Sequence, residues 1–160
     1  MILVVPRDDS SRIVHVDYKA VAAQAYASSQ HKVAAPDLPN GWWSNQATWL
    51  PTPQDTVPRF EAGFVGPKNQ YIGMTQAFGI NPTWLALSLK DVVLLKTFTN
   101  PGSKLKWNIY HSAEVHSPAK TRDVIWEAGV GSDAVLIYGD GTQKEFDTFT
   151  QAIEKKLEAK

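Results

Sequence analysis

The sequence predicts an α+β domain in which a mainly antiparallel sheet of about six strands is packed by two longer helices and one short helix. Strand-like segments occur in runs, and helical segments lie between or beyond those runs. Short connections at residues 66–69 and 129–133 favour antiparallel pairing, because parallel strands need a long crossover. The 160 residues are enough for one domain, which we place at residues 13–160.

A proline-bounded turn at residues 36–41 leads into the first long strand. Pro39 fixes its own φ and restricts the preceding residue, and Asn40-Gly41 accepts positive φ, so the chain can turn sharply. In a regular strand the side chains then alternate. One side would carry Trp43, Asn45, Ala47 and Trp49, and the other Trp42, Ser44, Gln46 and Thr48.

The later strands follow from alternation and turn residues. Residues 59–65 and 70–78 form a hairpin across Gly66-Pro67-Lys68-Asn69, and residues 105–111, 121–129 and 133–138 are three further strands. Residues 91–98 are apolar and partly β-branched, a pattern that fits either a strand or a continuing helix.

Capping residues locate the helices. Asp17 is an N-cap for a helix over 18–28, with Val21, Ala22, Ala25 and Tyr26 on one face. Asn81-Pro82 opens a short helix that extends to residue 89. Thr142 and Glu145 form a capping box, after which Phe146, Phe149, Ile153 and Leu157 define the buried stripe of a C-terminal helix.

Composition excludes several classes of function. Sixteen basic residues balance sixteen acidic ones, so no electropositive field favours nucleic acid as a partner. The chain has no cysteine, which removes disulfides, thiolate nucleophiles and cysteine-based zinc sites. We predict no cofactor.

The N-terminal segment, residues 1–12, is apolar at first and then charged. Met1-Ile2-Leu3-Val4-Val5-Pro6 is a short strand in one interpretation. In the other it is the remnant of a transmembrane helix, which would need about 20 apolar residues.

No motif indicates catalysis or a metal site. His111 and His116, on either side of Glu114, are five residues apart, a spacing that suits neither one strand face nor the i, i+4 pairs of zinc helices. The carboxylates of Glu61, Asp123, Glu127 and Asp140 could act in pairs, but nothing in the sequence brings two of them together.

Six tryptophans are the unusual content of the chain. Most are expected in the core, where indoles bury large areas. Adjacent Trp42 and Trp43 must face opposite sides of a strand, so we name Trp42, Trp43 and Trp49 as candidate ligand-binding residues.

Several landmarks together resemble the DUF4245 family, an actinobacterial family of unknown function. They are Val16-Asp17-Tyr18-Lys19, the Ala35-to-Trp42 turn, Gly63-Phe64, Tyr71-Ile72-Gly73, Trp107 and Trp126. The resemblance covers roughly residues 13–155. It implies a domain on the extracytoplasmic face of the cell membrane, preceded by one N-terminal transmembrane helix. The domain would contact the membrane only through that anchor. A cytoplasmic location is the alternative. It implies no activity and no functional residues.

Three hypotheses follow. The first is a non-enzymatic, tethered domain that binds an envelope protein, peptide or glycan. The others are a small hydrolase whose site is assembled only in the fold, and a structural or homo-oligomerisation module. Ionisable groups that converge in a cleft would favour the hydrolase. An apolar groove with a polar rim would favour the binding domain. An apolar patch with two-fold symmetry would favour the oligomerisation module.

The two adjacent indoles should differ in their effect on stability. Replacing the inward-facing one by alanine should cost about 3–5 kcal/mol of unfolding free energy, and replacing the other should cost little. Urea unfolding of Trp42→Ala and Trp43→Ala measures both. Equal losses would contradict the opposite-face interpretation.

Overall fold

The computed structural model describes residues 15–117 and 120–158. The interpretation of residues 1–12 therefore concerns a segment outside the described residues. Three helices are α1 (Tyr18–Ser29), α2 (Pro82–Ser88) and α3 (Gln143–Glu158). The strands are β1 (Trp43–Leu50), β2 (Arg59–Val65), β3 (Tyr71–Ala77), β4 (Val92–Phe98), β5 (Trp107–Ser112), β6 (Val124–Val130) and β7 (Asp133–Gly139).

These strands form one sheet in the order β1-β2-β3-β7-β6-β5-β4, and every neighbouring pair is antiparallel. The α+β class, the antiparallel sheet and the three helices match the prediction. The strand number differs, because the described residues form seven strands rather than about six. No helix among them has the length and apolar character that a membrane crossing requires.

The additional strand is β4, at one edge of the sheet. It pairs with β5, and a register shift lies between Leu94 and Lys96. Its pattern could not distinguish strand from helix, because apolar residues follow one another without alternation and most of them remain exposed. Val93, Leu94 and Leu95 are the exposed apolar residues of this edge.

Helix α3 forms as its sequence predicts. Thr142 Oγ1 accepts from the Glu145 N–H at 3.2 Å, and Glu145 Oε1 accepts from the Thr142 N–H at 2.8 Å. All four residues of the predicted stripe are buried, namely Phe146, Phe149, Ile153 and Leu157. Burying each such side chain contributes about 1.5–3 kcal/mol, so this stripe holds α3 on the sheet.

Helix α1 covers the same face of the sheet beside α3. Asp17 caps it by accepting from the Ala20 N–H at 3.1 Å, as predicted. Ala22 and Ala25 are buried and Val21 packs partly buried on the core, as predicted, whereas Tyr26 is 52% exposed and the prediction for it was wrong. Tyr18, one turn before Ala22, completes the buried face, and its ring packs edge-on against Phe64.

A β-bulge in β1 changes the predicted alternation. The pairing with β2 shifts between Ser44 and Gln46, so Asn45 is an extra residue in the strand. Trp42 packs on Phe149, and Ala47 and Trp49 also contact the core cluster. Trp43 instead stacks on His15 with ring centroids 4.7 Å apart. The adjacent indoles face different ways as expected, but the bulge places Trp49 on the side of Trp42.

A buried carboxylate links α3 to β5 and to the turn after β4. Glu154, which is 5% exposed, accepts from Asn100 Nδ2 at 2.9 Å through each oxygen. Its Oε2 also accepts from the Trp107 indole N–H at 2.8 Å. These donors satisfy the carboxylate in the core, where an unbonded one would be costly.

Removing this carboxylate should destabilise the fold. Glu154→Ala leaves the amide of Asn100 and the indole N–H of Trp107 buried without an acceptor, at a cost of about 2–3 kcal/mol. Gln151→Ala on the same helix is the control, because Gln151 is exposed and such changes cost about 0.5 kcal/mol or less. Urea unfolding should separate the two variants, and similar losses would show that the buried network is not stabilising.

Candidate functional site

The two faces of the sheet are covered unequally. Helices α1 and α3 pack on one face, over the larger core cluster. On the other face, a smaller cluster of Ile125, Ala134, Leu136 and Tyr138 is covered by Trp84 and Leu89 from α2 and the residue after it. Because α2 has only seven residues, part of this second face stays uncovered.

A groove of about 770 Å³ lies between α2 and the second face. Thr75, Ile125 and Leu136 from three different strands line it from the sheet. Helix α2 contributes Trp84 and Leu87 among others. Leu87 is 67% exposed, so its side chain is accessible to a ligand in the groove. The volume is in the range of ordinary ligand sites.

An ion-pair network lines one side of the groove. Arg59 contacts the carboxylates of Asp55 at 2.7 Å and Glu61 at 3.4 Å. The pKa of Asp55 lies below its usual value, chiefly because the Val57 N–H donates to it, with Arg59 and Trp84 adding to the effect. Asp55 is therefore ionised at neutral pH and cannot act there as a general acid.

Arg122 lies on another side of the groove, on top of Tyr138. Its guanidinium carbon is 4.2 Å from the centroid of the Tyr138 ring. The Tyr138 hydroxyl is 3.2 Å from Thr75 Oγ1, and a Cβ at Gly73 would overlap the ring. Glycine at position 73 thus lets Tyr138 lie across β3 and support the arginine.

A second, smaller pocket of about 280 Å³ contains an imidazole and a neighbouring carboxylate. His31 Nδ1 is 2.6 Å from Oδ2 of the buried Asp133, whose Oδ1 accepts from the Gly79 N–H. Trp49 and Phe78 also line the pocket. This meeting of histidine and carboxylate, 102 positions apart in the chain, was not visible in the sequence.

The three predicted tryptophans do not share one site. Trp42 is half-buried against α3, Trp43 stacks on His15, and Trp49 lines the small pocket. None of them lines the groove beside α2. Their role in ligand binding remains a prediction.

The other candidate residues lie apart. His116 pairs with Asp123 at 2.7 Å, and the His111 ring contacts the Ser112 carbonyl. The described part of the chain holds no group of three His, Cys, Asp or Glu residues placed to hold a metal ion. The four carboxylates have different partners: Glu61 contacts Arg59, Asp123 contacts His116, Glu127 accepts from Asn108, and Asp140 accepts from the Tyr71 N–H.

No motif in the sequence predicted the groove. Its residues come from β2, β3, α2, β6 and β7 and from the adjoining loops, between positions 55 and 136. The charges that line it are Asp55, Arg59, Glu61, Lys90, Asp91 and Arg122, which sum to zero and leave no cluster to detect. The short helix after Asn81-Pro82 was the one available sign, since seven residues cannot cover a sheet face.

Fold and groove together define an α+β domain with one helix-covered sheet face and one partly open face. The chain belongs to the family described as "Protein of unknown function (DUF4245)", whose family model matches residues 1–153. No curated protein and no solved structure matches the chain.

Proposed function

We propose that this protein is a non-enzymatic binding or accessory domain of the cell envelope, tethered to the extracytoplasmic face of the membrane. In this proposal the groove beside α2 binds an extended polypeptide segment of an envelope protein. The observation that carries the proposal is the groove itself, in which apolar residues of the sheet lie below an exposed leucine and a charged rim.

A polypeptide suits this lining. The exposed Leu87 and the half-buried Trp84 offer contacts for apolar side chains, while the charged groups offer hydrogen bonds to a peptide backbone. A glycan site would more often present an open aromatic face. Among the described residues that line the groove, Trp84 is the one aromatic residue, and it is half-buried in the cluster under α2.

Extracytoplasmic tethering is supported by the sequence of residues 1–12, in which an apolar run precedes charged residues. It is also supported by the family, because the resemblance implies an anchored domain outside the cytoplasm. These two considerations are independent of the groove.

A small hydrolase is the second candidate, and the His31–Asp133 pair favours it. A carboxylate bonded to Nδ1 leaves Nε2 to act as a base. Among the described residues, however, no hydroxyl bonds to the imidazole: Ser29 Oγ accepts from the His31 backbone N–H, and Asp133 is the partner of the ring. Without a positioned nucleophile, binding is the better-supported function.

Binding through the groove is tested by panning a phage-displayed library of random 12-residue peptides on the immobilised protein. Leu87→Asp should lower the affinity of the selected peptides at least tenfold, because it places a charge against apolar ligand atoms. Leu95→Asp is the matched control, since Leu95 is 60% exposed on β4 and does not line the groove.

The control variant also distinguishes peptide binding from the third hypothesis, in which the protein is a homo-oligomerisation module. If Leu95→Asp abolished self-association or binding while Leu87→Asp changed neither, the functional surface would be the β4 edge. A failure to select any peptide would contradict the groove proposal.

The location is tested by fusing alkaline phosphatase after Lys160 of the protein expressed from its complete gene. The phosphatase should be active, because its disulfides form only outside the cytoplasm. A β-galactosidase fusion at the same position, which is active only inside, is the control. An active β-galactosidase with an inactive phosphatase would place the domain in the cytoplasm.

A further inference from the structure

We infer that the groove recognises a carboxylate of its polypeptide ligand, and that Arg122 is the residue that binds it. This inference rests on the proposed function and specifies its ligand as a peptide segment that carries an acidic side chain. It follows from the distribution of charge along the groove.

The charges that line the groove fall into three groups. Arg59 is paired with both Asp55 and Glu61, so that side of the groove carries one net negative charge. Lys90 and Asp91, adjacent in the chain and both exposed at the rim, cancel each other. Arg122 is left with one positive charge and forms no ion pair within residues 15–117 and 120–158.

Arg122 is supported from below. Its guanidinium lies on the Tyr138 ring, which is itself held by the contact with Thr75 and by the absence of a side chain at Gly73. Stacking on an aromatic ring restricts the arginine without using its N–H donors in the ring plane. Those donors remain available for a carboxylate, which the planar guanidinium can bind through two parallel hydrogen bonds.

The Asp55–Arg59–Glu61 network complements the rest of a peptide. The excess carboxylate of the Asp55–Arg59–Glu61 network accepts hydrogen bonds, which backbone N–H groups or a basic side chain of the ligand can donate. Leu87 and Trp84 of α2 offer the apolar contacts of the groove, above the buried Ile125 and Leu136. A segment with an acidic residue next to apolar ones therefore matches the groove in charge and in polarity.

The test uses two fluorescent pools of 12-residue peptides that differ at one central position, glutamate in one and glutamine in the other. Every other position is drawn from apolar and neutral residues. Fluorescence anisotropy should show that the wild-type protein binds the glutamate pool at least tenfold more tightly than the glutamine pool. Arg122→Gln should remove this preference by weakening the glutamate pool alone.

Lys120→Gln is the matched control, because it removes the same charge two residues away and Lys120 does not line the groove. It should leave the preference unchanged. Arg122→Lys should retain only part of the preference, since lysine keeps the charge but lacks the two-pronged geometry. Circular dichroism melts of each variant confirm that the fold is intact.

The outcomes distinguish the two levels of the proposal. Equal binding of both pools by the wild-type protein, with both weakened by Leu87→Asp, would overturn the carboxylate inference and leave the groove as a peptide site. A glutamate preference that survives Arg122→Gln would also overturn the inference. No binding of either pool at millimolar concentration would contradict both proposals.

Discussion

The packing of α3 on one face of the sheet is the constraint on which the rest of the structure depends. Its buried stripe supplies the apolar contacts, and Glu154 adds hydrogen bonds to Trp107 and Asn100 that fix the helix over β5. Helix α1 packs beside α3, and the two helices cover this face of the sheet. Within residues 15–117 and 120–158, the short helix α2 is the one helix left for the second face, and the groove lies beside it.

The larger core cluster and the groove lie on different faces of one sheet. Strand alternation places successive side chains of β2, β3, β6 and β7 on opposite faces, so one strand serves both roles. In β3, Met74 is buried in the core under the helices, while Thr75 lines the groove. Substitutions at the groove rim can therefore change binding without removing the core.

Much of the fold was predictable from local chemistry. All three predicted N-caps form, because an N-cap depends on a few neighbouring atoms. The side chains of Asp17, Asn81 and Thr142 each accept a hydrogen bond from the backbone N–H three residues later. The face of Trp49 was not predictable, since one inserted residue at Asn45 reverses every later side chain of β1. Strand β4 was ambiguous because an exposed edge needs no alternation of apolar and polar residues.

The groove was less predictable than the fold for a different reason. Arg122 in the sequence is one of three neighbouring charges, with Lys120 and Asp123, at the start of a predicted strand, where a charged side chain is usually solvated. Its significance depends on Tyr138, sixteen positions later on the neighbouring strand, and on Gly73 across β3. Three residues of different types, each ordinary alone, create the supported cation only when β3, β6 and β7 are assembled. Because these residues meet only through the order in which the strands pair, no single segment of the sequence shows that they form one site.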